Sequence, residues 1–252
     1  MNLLLLKVKS KYPEVLPISR SSVVQYRPVL LARGTSFTQA DIYELHYNEN
    51  AVILKDFFKR PWIIRASIGR FFVYREIKAL RKLATISNVP AYLGMVDKYA
   101  FMMEKVKGNR LPRKNTAPPS IEFLSSLQNL INKIHSNGVS HNDLRRTNIF
   151  IGPNDKPYLI DFATVVFKSD STGISGMVKN AIFSRCTQAD RLKFLKLKHQ
   201  YYSCLVTDEE QLMLNTKPLY LRFAEFFRKK VYRSFLKPAR WKERIHKVKS
   251  HL

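Results

Sequence analysis

Asp143, Asn148 and Asp161 fall within one short stretch, VSHNDLRRTNIFIGPNDKPYLIDFAT, which runs from Val139 to Thr164. Two carboxylates and an amide suit a hard cation such as Mg²⁺, which takes oxygen ligands and keeps several waters. An ion held this way usually accompanies a nucleotide. The intervening residues say how the three could meet. Asn148 to Ile151 and Tyr158 to Ile160 are short apolar runs, and Gly152-Pro153-Asn154-Asp155 between them is strong turn chemistry. The pattern predicts a small β-hairpin. Asp143 and Asn148 stand just before its first strand and Asp161 just after its second, so the open end gathers all three.

The same residues carry a family resemblance. His141 to Asn148 reads HNDLRRTN and resembles the kinase catalytic loop H-R-D-L-x-x-x-N, and Asp161-Phe162-Ala163 resembles D-F-G. The resemblance implies ATP and Mg²⁺ as cofactors, with Asn148 and Asp161 ligating the metal. Asp143 would orient or deprotonate an attacking hydroxyl. Arg145 would neutralise the transferring phosphoryl group. His141 would be an internal hydrogen-bonding scaffold. Asn142 replaces the arginine that reads a phosphorylated activation loop, and Ala163 replaces the glycine of D-F-G. The implied fold is α+β and two-lobed, protein-kinase-like. Its N-lobe is an antiparallel sheet plus one helix, and its C-lobe is minimal and mainly helical.

Earlier elements fit that frame. Val29 to Ala32, Ile42 to Leu45 and Ala51 to Leu54 read as three strands of a meander, although residues 1 to about 27 are hard to place. Gly34 lies in the first turn, where the family has a glycine-rich loop over the phosphates; the match is a single glycine. Lys55 ends the third strand and resembles the lysine of V-A-I-K, which pairs with the α- and β-phosphates. Its expected partner is Glu76, the only acid between Asp56 and Asp97, on a helix from about Ile68 to Leu83. Two more strands, Ala91 to Val96 and Tyr99 to Met103, lead to a hinge-like Met103-Glu104-Lys105-Val106. There the Glu104 carbonyl and Val106 amide would meet the adenine edge, and Gly108 would let the chain turn away. Residues 1–104 thus read as the N-lobe, 105–118 as hinge and linker, 119–221 as the C-lobe, and 222–252 as a separate basic, aromatic segment.

In the C-lobe, Ser120 is a good N-cap for a helix with Ile121, Leu124, Leu127, Leu130, Ile131 and Ile134 on one stripe, ending at Asn137-Gly138. His135 on that helix reads as structural. Ser169 to Ser175 reads as small, polar and flexible, and Ala189 to Lys198 as a basic amphipathic helix. Asp190 has two readings, a brace beneath the catalytic loop or an acid favoured by the dipole at a helix N-terminus. No A-P-E follows. The short C-lobe, D-F-A and the segment from Ala189 resemble the bacterial lipopolysaccharide kinases of Kdo/heptose type, a RIO-like branch of the superfamily. That resemblance implies a phosphotransferase acting on a sugar hydroxyl of the lipopolysaccharide core. An atypical RIO-like serine/threonine protein kinase and a nucleotide-binding pseudokinase scaffold are the alternatives.

The charge sets the partners. With 44 Lys and Arg against 19 Asp and Glu, the net charge is +25, and such a surface seeks an anionic partner. The segment from Arg222 concentrates this: eleven Lys and Arg against Glu225 and Glu243, interleaved with Phe223, Phe226, Phe227, Tyr232, Phe235 and Trp241. It fits an anionic membrane surface, a nucleic-acid arm or a helix whose aromatics pack on the fold. Nucleic acid ranks below membrane, since no recognition motif accompanies the charge. No apolar run is long enough for a transmembrane helix. Met1 to Leu6 is too short for a signal-peptide core and reads as a first strand or an interfacial foothold. Cys186 and Cys204 have no metal-ligand spacing and read as reduced thiols. The expected location is cytoplasmic, peripheral on the inner face of the membrane.

Overall fold

The computed structural model describes residues 18–36, 38–47, 50–113 and 118–216. The expectations placed on Met1 to Leu6 and on 222–252 lie outside these residues. The first lobe is a five-stranded antiparallel sheet in the order β1-β2-β3-β5-β4. Its strands are β1 (Val29–Ala32), β2 (Asp41–Tyr47), β3 (Asn50–Asp56), β4 (Tyr92–Asp97) and β5 (Ala100–Glu104). Side chains alternate across a strand, and β3 and β5 show the consequence. Val52, Leu54, Ala100 and Met102 face one core with Ile18, Val23 and Leu45. Ile53, Phe101 and Met103 face the other. Lys55 has the parity of Ile53 and is turned to that second face.

A helical segment covers the second face. It opens with α1 (Trp62–Ile64), passes through a π-helical stretch (Arg65–Gly69) and continues as α2 (Arg70–Lys82). It begins earlier than the apolar spacing indicates, because the wider π turn shifts the period. Val73, Glu76, Ile77 and Leu80 form its buried stripe. The residues before β1 also find a place. Arg20 bridges Asp56 at 2.5 Å and Asp97 at 2.8 Å, tying this stretch to β3 and the end of β4.

The second lobe is built on α3 (Ile121–Ser136). The Ser120 hydroxyl caps it by accepting from the Phe123 N–H at 2.9 Å. Leu124, Leu127, Leu130, Ile131 and Ile134 are buried as the stripe requires, with Phe123 added. Ile121 departs from it and is half exposed, since the first turn overhangs the lobe edge. β8 (Ile149–Ile151) and β9 (Pro157–Leu159) form the expected hairpin, with Ile149 opposite Leu159. Asn154 and Asp155 take positive φ in its turn. The hairpin gains a third strand, β6 (Asn109–Arg110), immediately after the hinge. A Cβ on Gly108 (φ +135°) would meet the Ile151 carbonyl at 2.1 Å, so only glycine lets β6 approach. Leu111, in the expected linker, is fully buried, and its N–H donates to the Ile149 carbonyl.

β7 (Val139–Ser140) pairs with β10 (Val166–Phe167), framing the catalytic-loop residues. α4 (Gly173–Tyr201) follows, then α5 (Asp208–Asn215), closed by a Thr207–Glu210 capping box. Two expectations change here. Ser169 to Ser175 is ordered: the Asn180 side chain accepts from the Ser169 N–H at 2.8 Å and donates back to its carbonyl at 3.1 Å. The helix carrying Asp190 starts at Gly173, so Asp190 lies mid-helix and far from any N-terminal dipole.

Candidate active site

Lys55 is the hub of the site. Its ammonium reaches Glu76 Oε1 at 2.6 Å and Asp161 Oδ1 at 3.0 Å. Glu76 is the one acid on the apolar stripe of α2, and a buried charge requires a partner. Burial alone would push the Lys55 ammonium down, but Asp161 and Glu76 outweigh it and hold the pKa above the usual lysine range. Lys55 in turn is the main reason the Asp161 carboxyl lies below its ordinary value, against the effect of burial. Glu76 also accepts the Phe162 N–H at 3.1 Å. Phe162 itself is fully buried, its ring tilted against His141 with centroids 4.9 Å apart.

Asp143 and Asn148 meet as the loop spacing implies. The Asn148 amide donates to the Asp143 carbonyl at 3.0 Å and to its Oδ2 at 3.1 Å. Ile160, the neighbour of Asp161, donates its N–H to the Asn148 carbonyl at 3.0 Å, so the hairpin base brings Asp161 beside Asn148. Asp161 has φ +69°, a costly conformation for a non-glycine residue. Arg145 Nε lies 3.1 Å from Asp143 Oδ2, with its side chain more than half exposed.

The loop is fixed from behind by Asp190, which is fully buried. Its carboxylate accepts from the Ser140 hydroxyl (2.7 Å), the His141 N–H (2.8 Å) and the Asn142 N–H (2.9 Å), with His135 Nε2 at 3.2 Å. Burial pushes this carboxyl up, but His135, His141, Ser140 and Lys193 bring it below its ordinary value. Of the two readings of Asp190, the structure holds the brace. His141 is the expected scaffold: Nε2–H donates to the Ile160 carbonyl at 3.0 Å, and burial lowers its pKa.

The remaining candidates separate. Glu104 ends β5, where its N–H donates to the Ala91 carbonyl at 2.9 Å and its carboxylate receives the Ala91 N–H at 3.3 Å. Val106 follows in the loop to Gly108, where the chain passes between lobes. Gly34 is held within its own turn. Its N–H donates to Asp41 Oδ1 at 2.9 Å, and that carboxylate is also paired with Arg60. A Cβ at Gly34 would meet the Gln39 carbonyl at 2.4 Å, so this glycine serves close packing of its own turn. The Asp41–Arg60 pair was not legible in the sequence, since nothing distinguishes Asp41 from any acid at a strand start.

These residues fit ATP and Mg²⁺. The Lys55 ammonium is poised for phosphate oxygens. Asn148 and Asp161 offer oxygens, and among the described residues no group of three or more His, Cys, Asp or Glu converges as a softer or all-protein metal site would require.

The comparisons with known proteins agree. Residues 55–177 match the RIO domain family, a span that starts at Lys55 and takes in Glu76, the catalytic loop and Asp161. The BUD32 subunit of the EKC/KEOPS complex of Enterocytozoon bieneusi is 26% identical over 144 residues, 51% of this chain and 68% of that protein. A probable bifunctional tRNA threonylcarbamoyladenosine biosynthesis protein of Methanococcus maripaludis is 26% identical over 53% of this chain but only 24% of its own length. The fatty acyl-CoA synthetase and RNA processing-associated kinase 1 of Saccharomyces cerevisiae is 27% identical over 48% of this chain and 14% of its own. Among solved structures, the Rio2 kinase of Chaetomium thermophilum overlays 81% of this chain and 76% of its own with a TM-score of 0.48 at 13% identity. These matches are of RIO and Bud32 type. The lipopolysaccharide-kinase likeness rested on the short C-lobe, D-F-A and the segment from Ala189, and these matches do not single out that branch. Residues 55–177, just under half of the chain, are thus similar to a RIO domain, and the chain is a kinase using ATP and Mg²⁺.

Proposed function

We propose that this chain is an atypical RIO-like serine/threonine kinase that transfers a phosphoryl group from ATP to a protein hydroxyl. The observation that carries it is the assembled Lys55–Glu76–Asp161 ion network next to an Asp143 held by Asn148. A scaffold without turnover has no need to hold three buried or half-buried charges in this arrangement, which costs stability unless every member is paired. That distinguishes the reading from a pseudokinase. The similarity of residues 55–177 to the RIO domain supports the protein-kinase reading over the sugar-kinase one.

The residues act as follows. Lys55 binds phosphate oxygens and is kept charged by its two carboxylates. Asn148 and Asp161 hold the metal. Mg²⁺, when bound, supplies positive charge against the phosphates and withdraws electron density from the transferring group. Asp143 orients the acceptor hydroxyl and takes its proton, with the Asn148 amide fixing the carboxylate. Arg145 pairs with Asp143 at 3.1 Å, and its exposed guanidinium can turn to the incoming phosphoryl oxygens. Gly108 and β6 set where the adenine edge meets Glu104 and Val106.

A sugar hydroxyl of a glycolipid is the second reading, favoured by the +25 net charge. The test is transfer from γ-labelled ATP to casein and, separately, to purified lipopolysaccharide core glycolipid, followed by acid hydrolysis. Phosphoserine or phosphothreonine that disappears in Asp143→Asn is expected. Label found only on sugar would transfer the assignment to the glycolipid reading, and no ATP turnover with any acceptor would overturn both.

A further inference from the structure

Helix α4 has two unlike halves. From Ala189 on it buries Ala189, Asp190, Phe194, Leu195 and Leu197. Before that, Ile174, Met177, Val178 and Ile182 are 82, 73, 53 and 49% exposed. Their spacing places them on one helix face. Such a stripe is normally buried; here it meets solvent.

A second exposed apolar set lies on the α1–α2 segment: Trp62, Ile63, Phe71 and Tyr74, each more than half exposed. The two segments share one side of the molecule. Lys78 of α2 and Lys179 of α4 line the same concavity of about 510 Å³, together with Lys168 and Asp170.

Charge identifies what covers this side. Residues 62–82 carry Arg65, Arg70, Arg75, Lys78, Arg81 and Lys82, and their one acid, Glu76, is buried on Lys55. Residues 173–189 carry Lys179 and Arg185 and no acid. Asp170 is the one acid at the concavity. A second copy of this face would set cation against cation. The chain's own basic segment from Arg222 would do the same. RNA accepts cations and can stack on Trp62, Phe71 or Tyr74, but it would leave the wholly aliphatic and thioether α4 stripe in water. A surface that takes both apolar side chains and a ring of cations is the headgroup boundary of an anionic bilayer.

We propose that the exposed face of Ile174 to Ile182, with the Trp62 to Tyr74 face beside it, is an interfacial docking surface for an anionic lipid membrane. The helices lie on the bilayer and do not cross it; among the described residues no helix is long and apolar enough to span. The assignment is independent of which hydroxyl the kinase phosphorylates.

The test is co-sedimentation of the full chain with vesicles of phosphatidylcholine alone and of phosphatidylcholine mixed with phosphatidylglycerol, at low and high salt. The variant combines Ile174→Ser, Met177→Ser, Val178→Ser and Ile182→Ser. Wild type is expected to bind the anionic mixture, more weakly in high salt. The variant should bind it at least about tenfold less, with unchanged melting temperature and ATP affinity, because these side chains touch solvent. A separate Val178→Trp variant should blue-shift its emission on anionic vesicles. Several results would overturn the proposal: no binding by wild type, equal binding by the serine variant, or an unshifted tryptophan. So would a wild-type dimer that the serine variant turns into a monomer, or tighter binding to RNA than to anionic vesicles that the same variant abolishes.

Discussion

Glu76 Oε1 takes the Phe162 N–H at 3.1 Å while it holds Lys55 at 2.6 Å, so one carboxylate on α2 fixes both the phosphate-facing lysine and the D-F-A segment. Removing it leaves a buried ammonium short of one partner and an N–H unpaired. Glu76→Ala is expected to lose about 3–5 kcal/mol of stability, the usual cost of breaking a buried pair from one side. Glu76→Gln keeps an acceptor for Phe162 and should lose less. Thermal melts of both variants, with and without ATP, check the order; equal melting of Glu76→Gln and Glu76→Ala would remove the Phe162 contact from the account.

Asp143→Asn should bind ATP normally and transfer phosphate about 10² to 10⁴ times more slowly, the range for loss of a positioned base. The amide keeps the shape, and Asn148 can reorient to meet it. Steady-state kcat with a titration of nucleotide affinity separates the two effects. An unchanged kcat would remove Asp143 from the chemistry.

Asp161→Ala should raise the Mg²⁺ concentration needed for half-maximal activity and weaken nucleotide binding with it. Lys55 holds the Asp161 carboxyl below its ordinary range, so wild type should keep its Mg²⁺ response on the acid side further than an ordinary carboxylate ligand would allow. A Mg²⁺ titration at several pH values reads both. Identical curves for wild type and variant would reject the metal role.

His141 gives a pH dependence of stability. The unfolded side chain titrates near 6.5, and burial keeps the native one below that value. As pH falls through about 6.5 the unfolded state takes up a proton that the native state refuses, so stability is full above that pH and declines below it. Asp190 acts in a different window: its native pKa is depressed, so its contribution is lost only as pH falls below about 3.9. Melting temperatures of wild type and His141→Phe between about pH 5 and 7.5 should show a slope in wild type that the variant lacks.

How much was legible follows from these residues. The hairpin, α3 and the existence of strands β2, β3, β4 and β5 are written in local periodicity and turn chemistry, which need no tertiary information; the order β3-β5-β4 in the sheet is not. Lys55 and Glu76 could be paired because no other acid competes. The Asp190 brace stayed ambiguous because its helix begins sixteen residues earlier than its apolar stripe, in a run whose apolar residues face outward. A glycine in a first turn, as at Gly34, has two causes, approach to a ligand or approach to its own chain, and only coordinates show that a Cβ there would strike Gln39. β6 was hidden by its length, two residues being too short for any alternation.

The larger core does not stop at the hinge. Ile53, Phe57, Ile77, Leu80 and Leu83 of the first lobe and Phe123, Leu127, Leu159 and Phe162 of the second belong to one buried cluster, and the Leu159 N–H crosses to the Asn88 carbonyl at 3.1 Å. The lobes are therefore one cooperative unit on melting, and neither has a separable transition. Cutting the chain between Glu104 and Leu111 would expose the inner wall of both halves at once, so a fragment of either should behave as an unfolded or aggregating chain, and nucleotide in the cleft should protect amides on both sides of it from hydrogen exchange together.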